Sequence, residues 1–217
     1  MYQLAIFDMD GTILDTLEDL KISINYALSE NGFPERTLEE VRKFVGNGSQ
    51  KLVERSVPKG TSEEKQQEVL ASFDEYYEKH CAVNTRPYKG VVNAIIELRA
   101  VDIKTAVVSN KPNYGVQALC RKYFKGLFDY KVGMRKGMRK KPDPDAVMKV
   151  LEHFQIAKED AIFIGDSDVD VQTAKNAGLR CIGVTWGFRD RKVLEKAGAD
   201  IIADDVEDVL SEVFYGK

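Results

Sequence analysis

Leu4-Ala5-Ile6-Phe7-Asp8-Met9-Asp10-Gly11-Thr12 runs four apolar residues straight into a pair of aspartates and a glycine. A short unbroken apolar run suits a strand buried on both faces of a parallel sheet. Later runs resemble it: Thr105-Ala106-Val107-Val108, Ala161-Ile162-Phe163-Ile164, Cys181-Ile182-Gly183-Val184 and the shorter Ile201-Ile202. Segments with helical spacing lie between them. One carries Val91, Ile95 and Leu98; another carries Val147, Val150, Leu151 and Phe154, with Pro144 placed for a first turn. A third runs from Asp168 to Ala177 and stops at Gly178. Alternation of this kind from about residue 87 onward predicts an α/β fold with a parallel sheet.

Between the first strand and that region the pattern changes. Leu17, Leu20, Ile24, Ala27 and Leu28 recur at helical spacing, and Gly32 follows as a terminator. Thr37-Leu38-Glu39-Glu40 is a capping-box pattern opening a helix through Val41, Phe44 and Val45. Thr61-Ser62-Glu63-Glu64 opens another through Val69, Phe73, Tyr76 and Tyr77. No strand-like run lies between Asp15 and Ala82. The chain therefore reads as an α/β core made of residues 1–15 and 86–217, with a helical insert at residues 16–85 and the return marked by Arg86-Pro87.

Asp8 and Asp10 fall just past the carboxyl end of the first strand, the edge at which open α/β sheets bind ligands. Two apart on an extended chain, they should share a side. Taken alone they would serve equally well as turn formers. Ile164-Gly165-Asp166-Ser167-Asp168-Val169-Asp170 adds three carboxylates at the end of another strand. Val107-Val108-Ser109-Asn110 ends a third strand in a hydroxyl and an amide, and Lys141-Pro142-Asp143-Pro144 sets a lysine just before a helix. Clustered carboxylates repel one another unless a cation is bound or protons are taken up. A hard divalent metal with oxygen ligands answers that need, and magnesium suits a site that keeps water and phosphate as further ligands.

These motifs, in this order, resemble those of the haloacid dehalogenase-like hydrolase superfamily, and within it the phosphoglycolate phosphatase-like branch. The likeness covers nearly the whole chain. Residues 8–16 look like the first motif, Ser109-Asn110-Lys111 the second, Lys141-Pro142 the third, and Gly165-Asp166-Ser167 with Asp170 the fourth. The resemblance implies a Rossmann-like parallel-sheet core with an inserted all-helical cap domain, and adjacent first and fourth motif strands. It also implies a magnesium-dependent phosphatase working through an aspartyl-phosphate on Asp8. Asp8 would then be nucleophile and metal ligand, and Asp10 general acid and base with its main-chain carbonyl on the metal. Asp166 would be a direct Mg²⁺ ligand, and Asp170 would orient a water or Lys141. Ser109 and Lys141 would stabilise the transferring phosphoryl group, helped by main-chain N–H groups near Asn110, with Thr12 also on the substrate.

The formal net charge of -3 argues against a general affinity for nucleic acid, and no apolar stretch approaches the span of a bilayer. Cys81, Cys120 and Cys181 are widely spaced without a CxxC pair, which reads as ordinary thiols in a reducing, cytoplasmic compartment. The expected partner is a small phosphorylated metabolite, and the chain is expected to be a monomer or homodimer. Arg135 to Lys141 is more basic than the third motif requires, a pattern that fits a solvated loop better than a polyanion site.

Gly46-Asn47-Gly48 reads either as a plain helix stop or as a cap loop whose N–H groups meet substrate. Trp186 either lines the cleft mouth or packs under a loop, while His80 and His153 lack metal-ligand spacing. Phosphoglycolate is the branch's namesake substrate. Pyrophosphate, a nucleoside monophosphate and a sugar phosphate remain open, as does, in another class, a catalytically silent protein that binds a phosphorylated ligand.

Overall fold

β1 (Leu4–Phe7) is buried along its whole length, and its side chains divide between two cores. Leu4 and Ile6 join a cluster with Ala106, Val108, Val147, Phe163 and Ala174 on one face of the sheet. Ala5 and Phe7 join the larger cluster on the other face, with Ile95, Val107, Ile162 and Val209. An unbroken apolar run is the sequence of a strand with no solvent side.

The computed structural model describes all 217 residues. After β1 come β2 (Leu14–Asp15), α1 (Leu17–Glu30), α2 (Leu38–Phe44), α3 (Ser49–Ser56), α4 (Glu63–His80) and β3 (Arg86–Pro87). The chain continues with α5 (Val91–Ala100), β4 (Lys104–Pro112), α6 (Asn113–Tyr123), β5 (Tyr130–Met134) and α7 (Asp145–Phe154). It ends with β6 (Ala161–Gly165), α8 (Asp168–Ala177), β7 (Arg180–Val184), α9 (Arg191–Ala197), β8 (Ile201–Ala203) and α10 (Val206–Tyr215). Six strands form one parallel sheet in the order β5-β4-β1-β6-β7-β8. This is the Rossmann-like core, and α1 to α4 are the inserted helical cap.

The Thr37 capping box forms, whereas at Thr61-Ser62-Glu63-Glu64 the cap is Ser62 and Thr61 donates to the Pro58 carbonyl instead. Thr37 Oγ1 accepts from the Glu40 N–H at 3.3 Å while Glu40 accepts from the Thr37 N–H at 2.8 Å. Ser62 accepts from the Lys65 N–H at 3.2 Å, so the longest cap helix starts one residue after it. At the root of the insert β2 and β3 pair antiparallel, Leu14 with Pro87 and Asp15 with Arg86. Beside them the buried Asp19 carboxylate accepts from the N–H groups of Asn84 and Thr85 and from both their side chains, at 2.7–3.0 Å. Burial alone would raise its pKa, but these donors together hold it below the ordinary carboxylate value.

Three elements carry no clear sequence signal. β5 is the sheet's edge, where only Gly133 is fully buried, so no apolar run marks it. α3 buries just Leu52, Val53 and Ser56. α6 follows β4 directly, with Val116, Leu119 and Cys120 as its buried face. The three cysteines are buried free thiols, and no helix is long and apolar enough to cross a membrane.

Candidate active site

Sheet order decides which side chains meet. β1 lies between β4 and β6, with Phe7 level with Val107 on one side and Ile164 on the other. One step on, the chain delivers Asp8 from β1. Two steps on, it delivers Ser109 from β4 and Asp166 just beyond β6. Asp170 enters from the first turn of α8, where it completes a capping box with Ser167, accepting from the Ser167 N–H at 3.1 Å and hydroxyl at 2.6 Å. Lys141, ahead of α7, reaches in between, donating to Asp8 Oδ1 at 2.7 Å and Asp170 Oδ1 at 2.6 Å. Lys140 makes no such contact; it borders a neighbouring cleft whose lining includes Asn47, Lys51, Arg55 and Lys141. The basic run before it is partly neutralised, since Arg139 pairs with Asp143 and Asp145 at 3.0 and 2.6 Å.

Asp166 is fixed from both sides. Its Oδ1 accepts from the Thr12 hydroxyl at 3.2 Å and its Oδ2 from the Phe188 N–H at 2.7 Å. Gly11 has φ +90°, and a Cβ there would stand 2.3 Å from Asp166 Oδ2. That position therefore requires glycine both for its backbone and for the room it leaves.

Burial raises the Asp8 pKa to about 7; Asp170 and Asp10 push the same way, and Lys141 opposes them. Asp166 is raised well above the carboxylate range, first by burial and then by Asp170 and Asp8. Burial would lower the Lys141 pKa, yet the charges of Asp170 and Asp8 outweigh it and raise it. One buried ammonium, that of Lys141, among Asp8, Asp166 and Asp170 leaves negative charge uncompensated. Oxygen atoms of Asp8, Asp166 and Asp170 lie within 4.8 Å of one another. That donor set, all hard oxygen and held by partners on the protein side, fits a magnesium ion. Asp170 is engaged on both oxygens by Lys141 and Ser167, whereas Asp8 Oδ2 has no protein donor.

Above this floor lies a cavity lined by Asp8, Asp10, Ser109, Asn110 and Asp166 from the core and by Leu20, Gly46, Gly48, Leu52, Phe73 and Tyr77 from the cap. Several residues expected to touch substrate are placed otherwise. Thr12 is buried and outside this lining; its hydroxyl positions Asp166. Asn47 faces the neighbouring cleft, and only Gly46 and Gly48 of its loop border the cavity. Asn110 does border it, but its amide acts as a brace. Nδ2 donates to the carbonyls of Lys141 at 3.0 Å and Gly46 at 3.1 Å, and Oδ1 accepts from the Lys141 N–H at 2.8 Å. The second motif, the third motif and the cap loop thus meet on one side chain. Trp186 packs under the first motif, donating to the Thr12 carbonyl at 3.0 Å. His80 stacks on Tyr76 and His153 lies tilted against Tyr130, with centroids 4.0 and 4.5 Å apart.

Three residues at the cavity carry no role that the sequence alone assigns. Lys111, inside the second motif, is buried and donates to Asp10 Oδ1 at 2.7 Å. Tyr77 brings its hydroxyl from the cap to the same ammonium. Arg189 donates to the carbonyls of Arg42 and Val45, each at 2.7 Å, and so grips the end of α2. The position of Lys111 inside the second motif was the available signal for it; nothing local marks the other two.

Comparison with known proteins identifies the family. A family model described as haloacid dehalogenase-like hydrolase matches residues 5–184. Phosphoglycolate phosphatase 1 of Pseudomonas aeruginosa is 34% identical over 96% of this chain and 78% of that protein. Phosphoglycolate phosphatase of Vibrio cholerae is 31% identical over 97% of this chain and 96% of its own. The crystal structure of a predicted phosphoglycolate phosphatase from Haemophilus somnus superposes with a TM-score of 0.90 at 29% identity, covering 97% of each chain.

Proposed function

The chain belongs to the haloacid dehalogenase-like hydrolase family, and from that premise we propose that it is a phosphatase of small phosphorylated metabolites, acting through Asp8. The relatives named phosphoglycolate phosphatase support the reaction class and make 2-phosphoglycolate the first substrate to test. The observation that carries the reading is the Asp8 carboxylate itself. One oxygen is pinned by Lys141 at 2.7 Å, and the other is free of protein donors and borders the cavity.

In this reading Asp8 Oδ2 attacks phosphorus, the new O–P bond forms as the ester O–P bond breaks, and Asp10 gives its proton to the departing oxygen. A water then attacks the same phosphorus, its proton passes to Asp10, and the Asp8–phosphorus bond breaks to release phosphate. A carboxylate is ionised at neutral pH once its counter-charges are in place, and the covalent step divides one hard displacement into two. Lys141 holds Asp8 in line and, by bridging to Asp170, keeps it from rotating away. The Lys111 N–H donates to Ser109 Oγ at 3.3 Å, which leaves the serine hydroxyl hydrogen to donate to a phosphoryl oxygen.

The carboxylates of Asp8 and Asp166, with the main-chain carbonyl of Asp10, would hold Mg²⁺. The ion supplies positive charge that lets an anionic phosphate enter among carboxylates. Residues 16–85 would act as a lid whose root is the β2–β3 ribbon with Asp19, closing over the substrate and excluding water. The buried free thiols suit a reducing cytoplasm.

Phosphate release from a panel of small esters and pyrophosphate, with Mg²⁺ and with chelator, tests the reading. Magnesium-dependent release from at least one monoester is expected. Release unaffected by exhaustive metal removal contradicts the metal role, and no release from any ester contradicts the function.

A further inference from the structure

Lys111 and Tyr77 meet across the cavity, one from the core strand β4 and the other from the cap helix α4. The Lys111 side chain is 1% exposed, and its ammonium lies 4.7 Å from the centroid of the Tyr77 ring. An ammonium has three N–H donors. Asp10 Oδ1, at 2.7 Å, takes one and the Tyr77 hydroxyl takes another. The third has no protein acceptor, and the Tyr77 hydroxyl, which accepts from Lys111, donates its own hydrogen to no protein group. Both side chains line the cavity that holds Asp8, Asp10 and Ser109. That wall therefore offers two donors, one of them charged, to whatever enters the cavity. The neighbouring cations are committed elsewhere. Lys141 is held between Asp8 and Asp170, and Arg189 is fastened to the carbonyls at the end of α2.

We propose that Lys111 and Tyr77 form a leaving-group subsite that selects phosphate esters carrying a carboxylate one carbon from the ester oxygen; the proposal rests on the phosphatase reading above. Position argues for the short reach. To protonate the departing oxygen, Asp10 must lie about 2.7 Å from it, the ordinary O–H···O separation. Lys111 stands one hydrogen bond beyond the same carboxyl group. A carboxylate one methylene from the ester oxygen falls between the two, where it accepts from Lys111 and Tyr77 together. A bulkier leaving group such as a sugar ring would have to share the cavity with Leu20, Leu52 and Phe73, whose side chains offer nothing to hydroxyls. Because one donor is on the core and one on the cap, the subsite is complete only when the cap is down, so the acid itself favours closure.

The test compares kcat and KM for 2-phosphoglycolate and for the neutral 2-hydroxyethyl phosphate, with Mg²⁺, in the wild-type protein and in Lys111→Met, Lys111→Arg and Tyr77→Phe. The wild type should prefer the acid. Lys111→Met and Tyr77→Phe should lower kcat/KM for phosphoglycolate roughly 10- to 100-fold more than for the neutral ester, chiefly through KM. Lys111→Arg should restore part of the preference. Tyr77→Phe keeps the ring and its packing, so it reports even if the lysine variants fold poorly. Equal losses on both esters would assign Lys111 to Asp10 alone and overturn the proposal. A wild type that hydrolyses the neutral ester without preferring the acid also overturns it while leaving the phosphatase reading intact. A wild type inactive on every ester removes both.

Discussion

Two walls face each other across the cavity, and they are held in different ways. The floor stands on the ends of β1, β4 and β6 and the first turn of α8. There the side chains fix one another: Lys141 joins Asp8 to Asp170, Ser167 holds Asp170, and Thr12 with the Phe188 N–H holds Asp166. The roof presents Leu20, Leu52, Phe73 and the Gly46 and Gly48 backbone. Away from its root, where Lys122 and Tyr123 donate to the carbonyls of Ala82 and Thr85, few polar bonds tie it to the core: Asn110 to Gly46, Arg189 to the end of α2, Lys111 to Tyr77 and Tyr114 to Asp74. A mutually buried floor presents the same geometry to any phosphoryl group, whereas a roof on a few separable bonds can open and can discriminate. Changes to the floor should therefore alter rate and stability for all substrates, and changes to the roof should alter their order.

The largest effect belongs to the nucleophile. Asp8→Asn keeps the shape but is neither anionic nor nucleophilic, and kcat should fall on the order of 10⁴-fold for every ester. Circular dichroism should be unchanged and Tm no lower, because a repelled buried charge has been removed. Turnover within about tenfold of wild type would end the case for Asp8.

Lys141→Met tests whether the floor is one bonded unit. It strands Asp8 and Asp170 without their cation, a loss of roughly 3–5 kcal/mol in chemical denaturation of the metal-free protein. Added Mg²⁺ should recover part of it. A loss below about 1 kcal/mol would mean that the pairing contributes no more than an exposed one.

The floor should also respond to pH. In the metal-free fold the Asp8 pKa is raised from 3.8 to about 7, so the folded state holds a proton the unfolded chain has released. That contribution to stability is complete below the unfolded value and is lost as pH rises through about 7. Mg²⁺ takes the place of that proton, so the rise in Tm on adding it should grow from about pH 5.5 to about pH 7.5. An increment independent of pH would separate the metal from Asp8.

The roof gives the smallest effect and the one most specific to it. Gly48 has φ +85°, and a Cβ there would lie 3.2 Å from the Asn110 carbonyl. Gly48→Val should raise KM for the preferred substrate about tenfold and reorder the esters, with much less effect on a small aryl phosphate. A variant that melts earlier yet ranks substrates as before would make the loop a plain helix stop.

The same contrast explains what could be read from sequence. The floor was legible because its chemistry is concentrated at strand ends, and burial on both faces turns those strands into apolar runs such as Leu4-Ala5-Ile6-Phe7. The residues that complete it were less so. Thr12 supports Asp166 across 154 positions of sequence, and Lys111 meets Asp10 across 101. Neither contact leaves a local pattern. The roof was legible as helices through Thr37 and Ser62 and their caps. Which side of the Gly46-Asn47-Gly48 loop faces the cavity was not, because it depends on how Arg189 and Asn110 seat the cap. β5 escaped for a simpler reason, since an edge strand with one open side needs no apolar run.

The central claim is that phosphate passes through Asp8, and it can be met directly. Protein mixed with Mg²⁺ and 2-phosphoglycolate, quenched in acid within the first turnover and digested, should carry one phosphoryl group on the peptide that contains Asp8. The Asp8→Asn protein treated alike should carry none. A phosphoryl group on any other residue, or steady phosphate release with no adduct at any quench time, would contradict the account.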